Sequence, residues 1–171
     1  MLDDLMLDLE TLGTQANALI VQIGAAYFDR RSGTVGGTFR CNVSIRDSLK
    51  YGMTVSDGAL KFWFDHPGRT WLKGTYELTK ALDLFAKFCN KKARVWSHAN
   101  FDVPILSQAY YLIGRKPPFS YKNCRDIRTL VDLAALPKET HQKTDKSHDA
   151  LEDCLYQIKY CLPCLWALGG K

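Results

Sequence analysis

A single α/β domain on a mixed sheet is the fold class this chain predicts, and three observations carry it. Near the N-terminus, three strand-like runs follow one another with short turns between them. After Ser56 the pattern changes to alternating helix-like and strand-like segments. The length, 171 residues, is that of one ordinary domain able to bury most of the surface its unfolded form exposes. Three antiparallel strands followed by alternating helices and strands predict a mixed sheet covered by helices. No internal repeat or linker divides the chain, so residues 1–171 are expected to form one unit.

The elements follow in order. LMLDLE (5–10) reads as the first strand and ALIVQIGAAYFD (18–29) as a longer second, with Gly13, Thr14 and Asn17 marking the turn between them. GGTFRCNVS (36–44) gives the third. Ser56 is placed to cap a short helix running to about His66, where Pro67 and Gly68 stop it. Thr75 is placed to cap the next, in which Leu78, Ala81, Leu82, Phe85 and Phe88 recur at three- and four-residue spacing. ARVWSH (93–98) returns to strand, FDVPILSQAYYLIG (101–114) to helix and YKNCR (121–125) to strand. Asp126 is placed to cap IRTLVDLAAL. After Pro137 a polar loop, KETHQKTDKS, leads into a final helix from about Asp149.

Composition narrows the class of protein. Hydrophobic residues make up 46% and charged residues 24%, a globular balance and not a disordered one. No apolar run reaches the ~20 residues of a membrane span and no leader-like segment follows Met1, so no membrane partner and a cytoplasmic location are expected. The net charge of +5, with lysines and arginines concentrated from Lys91 onward, suits a polyanionic partner without requiring one. Of six cysteines only Cys161 and Cys164 are closely spaced, and no second pair completes a zinc site. They read as reduced, mostly buried thiols.

The chemistry lies in the acids. Asp8 and Glu10, two apart on a strand, project from the same face. Two carboxylates held together on a central strand raise each other's pKa, a cost that a bound cation removes. An exposed edge strand carries the same pattern. Asp102 follows a strand and opens a helix, where it reads equally as an N-cap or as a site residue at a strand's C-terminal end. His148 and Asp153 do not share a face if both are helical, since five residues turn a helix by ~500°. With His148 in the loop ahead of the helix, its imidazole folds over the site and Asp153 reaches it from the first turns. Asp149 in that first turn complements the helix dipole. Four carboxylates and a base are what a two-metal phosphodiesterase needs: divalent ions about 4 Å apart offset the negative charge of attacking and leaving oxygens.

In that order, DLET, SHANFD and SHDALED resemble the DEDDh group of 3′→5′ exonucleases, of ribonuclease-H-like fold. The similarity covers nearly the whole chain, including LDLETLGTQANALIVQIGAAYFD, LKFWF, VWSHANFDVPIL and CRDIRTL. It is nearest the branch that contains phage exonucleases and the mycobacterial ribonuclease AS, which suggests a phage origin and hence the host cytoplasm. The sister group has tyrosine four before the last aspartate, where this chain has Asp149.

The resemblance implies that Asp8, Glu10, Asp102 and Asp153 ligate two Mg²⁺ or Mn²⁺ ions. It also implies that His148 is the general base that activates water, freeing nucleoside 5′-monophosphates from the 3′ end of single-stranded DNA or RNA. A free imidazole, with a pKa near ~6.5, suits that task.

Thr11 and Leu12 are expected beside the terminal nucleotide, although Leu12 reads equally as a core residue. Phe62 and Trp63 lie where relatives carry paired tryptophans, from which Phe62 departs; Trp63 is a candidate for stacking on a base, and the two rings read equally as half core and half rim. His98 and Asn100 are candidate substrate contacts or strand-end hydrogen-bonding residues, and Arg125, Asp126 and Arg128 read as helix-tying residues. The loop 137–147, with Lys138, His141, Lys143 and Lys146, is expected to deliver His148 and to serve as a gate or as plain solvated chain. CLPCLWALGG offers a homodimer or partner surface, or packs on its own core. The alternatives are an oligoribonuclease for very short RNAs and a non-catalytic nucleic-acid-binding or polymerase-docking module.

Overall fold

The computed structural model describes residues 2–66, 76–137 and 148–169. A five-stranded sheet has the order β3-β2-β1-β4-β5, formed by β1 (Asp4–Thr11), β2 (Ile20–Phe28), β3 (Val35–Asn42), β4 (Arg94–Ser97) and β5 (Cys124–Asp126). The first three strands are antiparallel neighbours, while β4 and β5 run parallel to β1. This is the mixed ribonuclease-H-like sheet the sequence predicts.

Strand alternation separates two cores. Leu5, Leu7 and Leu9 pack on one face of the sheet, with α3 (Leu78–Phe88) and α4 (Asp102–Leu112). On the other, Met6, Ala26, Phe28 and Trp96 meet α5 (Ile127–Ala134) and α6 (Ala150–Ala167). Asp8 and Glu10 belong to this second face, at the C-terminal end of a strand buried along its length. Because β1 lies between β2 and β4, its acids cannot reach solvent by fraying at an edge.

The local signals act largely as expected. The Ser56 hydroxyl accepts from the Ala59 N–H and caps α2 (Asp57–Asp65), and Asp126 accepts from the Thr129 N–H at the start of α5. Asp149 caps α6 through the N–H groups of Leu151 and Glu152. Ala135, at φ 48, turns left-handed and ends α5 earlier than the apolar pattern suggests.

Some elements differ from those expected, and some expectations fall outside the description. A short helix, α1 (Ile45–Lys50), was not anticipated, although Ser44 caps it through the Asp47 N–H. YKNCR is not wholly strand: Tyr121–Asn123 is a 3-10 turn capped by Ser120, and only its last two residues enter β5. Thr75, proposed as the cap of α3, lies outside the described residues. The cap position there is Glu77, which makes no side-chain cap; the Leu78 N–H instead donates to Asp47 Oδ2 at 2.7 Å. Pro67, Gly68 and residues 138–147 of the polar loop also lie outside the description.

All six cysteines are free, and five are buried. Within the C-terminal segment, Cys161, Leu162, Cys164 and Leu165 pack in the second core, so this helix face covers the sheet of its own chain.

Candidate active site

Three elements converge on the end of β1. β4 pairs with β1 only as far as Met6 opposite Trp96, and beyond that point the two strands part. The Leu9 N–H, left without a strand partner there, donates to Asp102 Oδ1 at 3.1 Å. Asp102 Oδ2 accepts from the His98 N–H at 3.0 Å. A helix-opening aspartate thus closes the gap in the sheet and is fixed, almost wholly buried, beside Asp8. Asp126 ties the next loop in the same way, accepting from the Ala99 N–H at 2.9 Å.

From the other side comes α6. Its first turn rests directly on Gly24 of β2, the residue opposite Asp8. A Cβ at Gly24 would lie 2.2 Å from the Ala150 carbonyl carbon, so only glycine allows this approach. Gln22, fully buried two residues earlier, fixes the register: its Oε1 accepts from the Ala150 N–H at 2.7 Å. Its Nε2 donates to Asn42 Oδ1 at 2.8 Å and to Asp149 Oδ2 at 3.4 Å. Arg40 on β3 adds an ion pair to Asp149 at 2.7 Å. Asp149, expected to complement the helix dipole, is therefore the pin that holds the helix start against β2 and β3.

With α6 so placed, donor atoms gather in two groups. One atom each from Asp8, His98 and Asp102 lie within 4.8 Å of one another, and so do one each from Glu10, His148 and Asp153. His148 stands outside the helix with φ 42, a left-handed conformation rare for a residue with a side chain. His98, expected as a substrate contact, sits instead among the acids. Burial, and then the charge of Arg128, push its imidazole down to about 4.

The electrostatics are those of a site built for a cation. Burial, then the charges of Asp102, Glu10 and Asp153, push the Asp8 carboxyl well above the usual range. Asp102 is raised to about 7 by burial, against the lowering pull of its backbone hydrogen bonds. Hard carboxylate oxygens grouped at this distance, with Asp8 and Asp102 disfavoured as bare charges, match the donor preference of Mg²⁺ and Mn²⁺. The residues present fit such a group.

Beside the acids opens a cleft of about 340 Å³, lined by Leu9, Glu10, Thr11, Gly13, Thr14, Gly58, Ala59, Phe62, Trp63, Phe101 and His148. Thr11 and Trp63 are therefore on its wall, and the Trp63 indole N–H donates to the Thr11 carbonyl at 2.9 Å. Leu12 takes the core place that the sequence allowed it equally: it is buried in the first core and is not among the residues that line the cleft. Asn100 is exposed on the loop before α4 and is not among the lining residues either.

Sequence reading missed Gln157 and Gln22. Gln157 donates to Asp8 Oδ1 at 2.7 Å, while its own buried Oε1 has no hydrogen-bond partner among the described residues. Both left a signal. Gln22 is the one polar residue in ALIVQIGAA, and Gln157 falls four residues after Asp153 on the same helical face.

The family of the 3′-5′ exoribonuclease Rv2179c-like domain matches the chain over residues 3–165. Among solved structures, an apo Exonuclease I superposes with a TM-score of 0.67 at 18% identity, covering 95% of this chain and 41% of that one. The zinc-bound complex of E. coli Exonuclease I with single-stranded DNA gives a TM-score of 0.65 at 18% identity, over 90% of this chain and 38% of that one. Cell-death related nuclease 4 gives 0.54 at 16% identity, over 96% and 64%. At these identities the likeness is one of fold, and the chain spans about two-fifths of the length of the Exonuclease I structures. No curated protein matches the chain.

Proposed function

The chain belongs to the Rv2179c-like family of 3′-5′ exoribonuclease domains, and from that premise we propose that it removes nucleotides one at a time from the 3′ end of a single strand. The observation that carries this is the gathering of Asp8, His98 and Asp102, and of Glu10, His148 and Asp153, with Glu10 and His148 on the wall of a nucleotide-sized cleft. The single-stranded DNA held by the E. coli Exonuclease I structure supports a single strand as the substrate form. The family's description points to RNA, so both sugars belong in the test.

Asp8, Glu10, Asp102 and Asp153 would hold two Mg²⁺ or Mn²⁺ ions. Such ions supply positive charge to the attacking and leaving oxygens of a phosphodiester. The protein's own work is positioning. Backbone N–H groups fix Asp102, and Gln157 fixes Asp8. Thr11, Phe62 and Trp63 line the space for the terminal nucleotide. His148, in the histidine version of the four-acid pattern, takes the proton of the attacking water. The new P–O bond forms as the bond to the penultimate 3′-oxygen breaks, a nucleoside 5′-monophosphate departs, and the freed 3′-oxygen takes a proton from solvent.

The test uses 5′-labelled DNA and RNA oligomers with Mg²⁺, Mn²⁺ or EDTA, alongside Asp153→Ala. A metal-dependent ladder shortening from the 3′ end, absent in the variant, is the expected result. No cleavage of either strand by folded protein with any metal would leave only a binding module.

A further inference from the structure

His148 meets the rings of another element, α2 and its cap. It precedes α6, outside the hydrogen-bonded turns, and its backbone is left-handed. Three rings surround the imidazole edge-on. The Phe62 centroid is 4.9 Å away at an interplanar angle of 79°. His66 is also 4.9 Å away at 85°, and Trp63 is 5.9 Å away at 79°.

These rings are themselves fixed. Phe62 stacks on His66 with centroids 4.0 Å apart and packs edge-on against Trp63 at 5.3 Å. His66 Nδ1 lies 2.7 Å from the Phe62 carbonyl oxygen, which can only accept, so this nitrogen carries the proton. Trp63 is anchored to the Thr11 carbonyl, one residue beyond Glu10. A continuous path of contacts therefore runs from the end of β1 through α2 to the imidazole. T-shaped ring pairs at these separations are favourable and directional.

We propose that Phe62 and His66 are positioning residues for His148, setting the plane of its imidazole relative to Glu10 and Asp153. The inference rests on the proposed exonuclease reading, since it assigns His148 the base role. It gives the helix that walls the nucleotide cleft a second task. Trp63 holds α2 to β1 from within the core, whereas Phe62 is 39% exposed and can be replaced at small cost to folding. A base misplaced by even ~1 Å can lose roughly 10²-fold in rate.

The experiment pairs kinetics on the labelled oligomers with NMR of the histidine rings in metal-free protein; with four histidines in the chain, the His148 resonance is assigned by its loss in His148→Gln. Phe62→Leu, which keeps apolar bulk in the cleft, should lower kcat roughly 10- to 100-fold with KM nearly unchanged and should move the His148 Cε1–H signal. His66→Ala should do the same. Phe62→Trp and His66→Phe, which restore a ring, should recover most of kcat.

A rise in KM with kcat preserved in Phe62→Leu would make the ring a base-stacking contact and overturn the proposal, as would unchanged kinetics or an unmoved signal. Wild-type protein that cleaves nothing would instead overturn the exonuclease reading and this inference with it.

Discussion

At the residue scale, the acids of this site trade stability for chemistry. Asp8 is buried among carboxylates that push its pKa well up, so its ionised form strains the metal-free fold. Asp8→Asn keeps an oxygen to accept from Gln157 and removes the charge. It should abolish cleavage yet stabilise the metal-free protein by ~0.5–2 kcal/mol, seen as a higher melting temperature in EDTA. His148→Gln should retain metal binding and lower kcat by roughly 10²- to 10⁴-fold. Equal kcat for this variant and wild type at saturating substrate would remove His148 from the base role. The same residue scale explains why the pair Asp8 and Glu10 was legible and Gln157 was not. Two acids at strand spacing announce themselves, while a glutamine in a helix looks like an ordinary solvated side chain until the helix is placed.

At the element scale, the decisive contact is the start of α6 on β2. Gly24→Ala puts a methyl group into the Ala150 backbone and must lift the helix that carries Asp149 and Asp153. Overpacking of this kind should cost ~1–3 kcal/mol, read by denaturant unfolding, and activity should fall further than stability because the acids separate. Wild-type activity in this variant would mean that the helix start does not set the site. The missed helix α1 makes a related point. Its cap, Ser44, lay in plain view, but six residues are too few for a periodic pattern, and its Asp47 reaches across to the Leu78 N–H. Thr75 as the α3 cap was reasonable on local grounds. A hydrogen bond from 31 residues away now serves that helix start.

At the scale of the whole molecule, the far end of β1 is locked by Asp4. Its Oδ1 accepts from Arg94 Nε at 2.8 Å and Trp96 Nε1 at 2.9 Å, and its Oδ2 from Arg94 Nη2 at 2.9 Å and Arg30 Nε at 3.1 Å. Burial alone would raise this carboxyl, but these hydrogen bonds and the arginine charges outweigh it and hold it below the usual value. A depressed carboxyl contributes stability above its unfolded pKa, ~3.9, and loses it as pH falls through the folded value. Melting temperature should therefore drop on acidification below about pH 4, and Asp4→Asn should weaken that acid limb while lowering stability near neutrality. At the opposite end, Mn²⁺ at ~100-fold its dissociation constant should stabilise the fold by ~2.7 kcal/mol, and Asp153→Ala should lose most of that gain.

What the sequence determined by itself was order and type: three antiparallel strands, then alternating helices and strands, and acids at the strand end, loop and helix start. Those follow from periodicity, caps and turn residues, which act over a few neighbours. What only the tertiary structure decided was distance. Leu12, just past the end of β1, packs into the first core, and His98 joins the acids where β4 has parted from β1. His148 faces Phe62 and His66 because α6 rests on Gly24 while α2 is tied to Thr11. Each depends on residues tens of positions apart meeting within a few ångströms, and no local pattern in the chain encodes such a meeting.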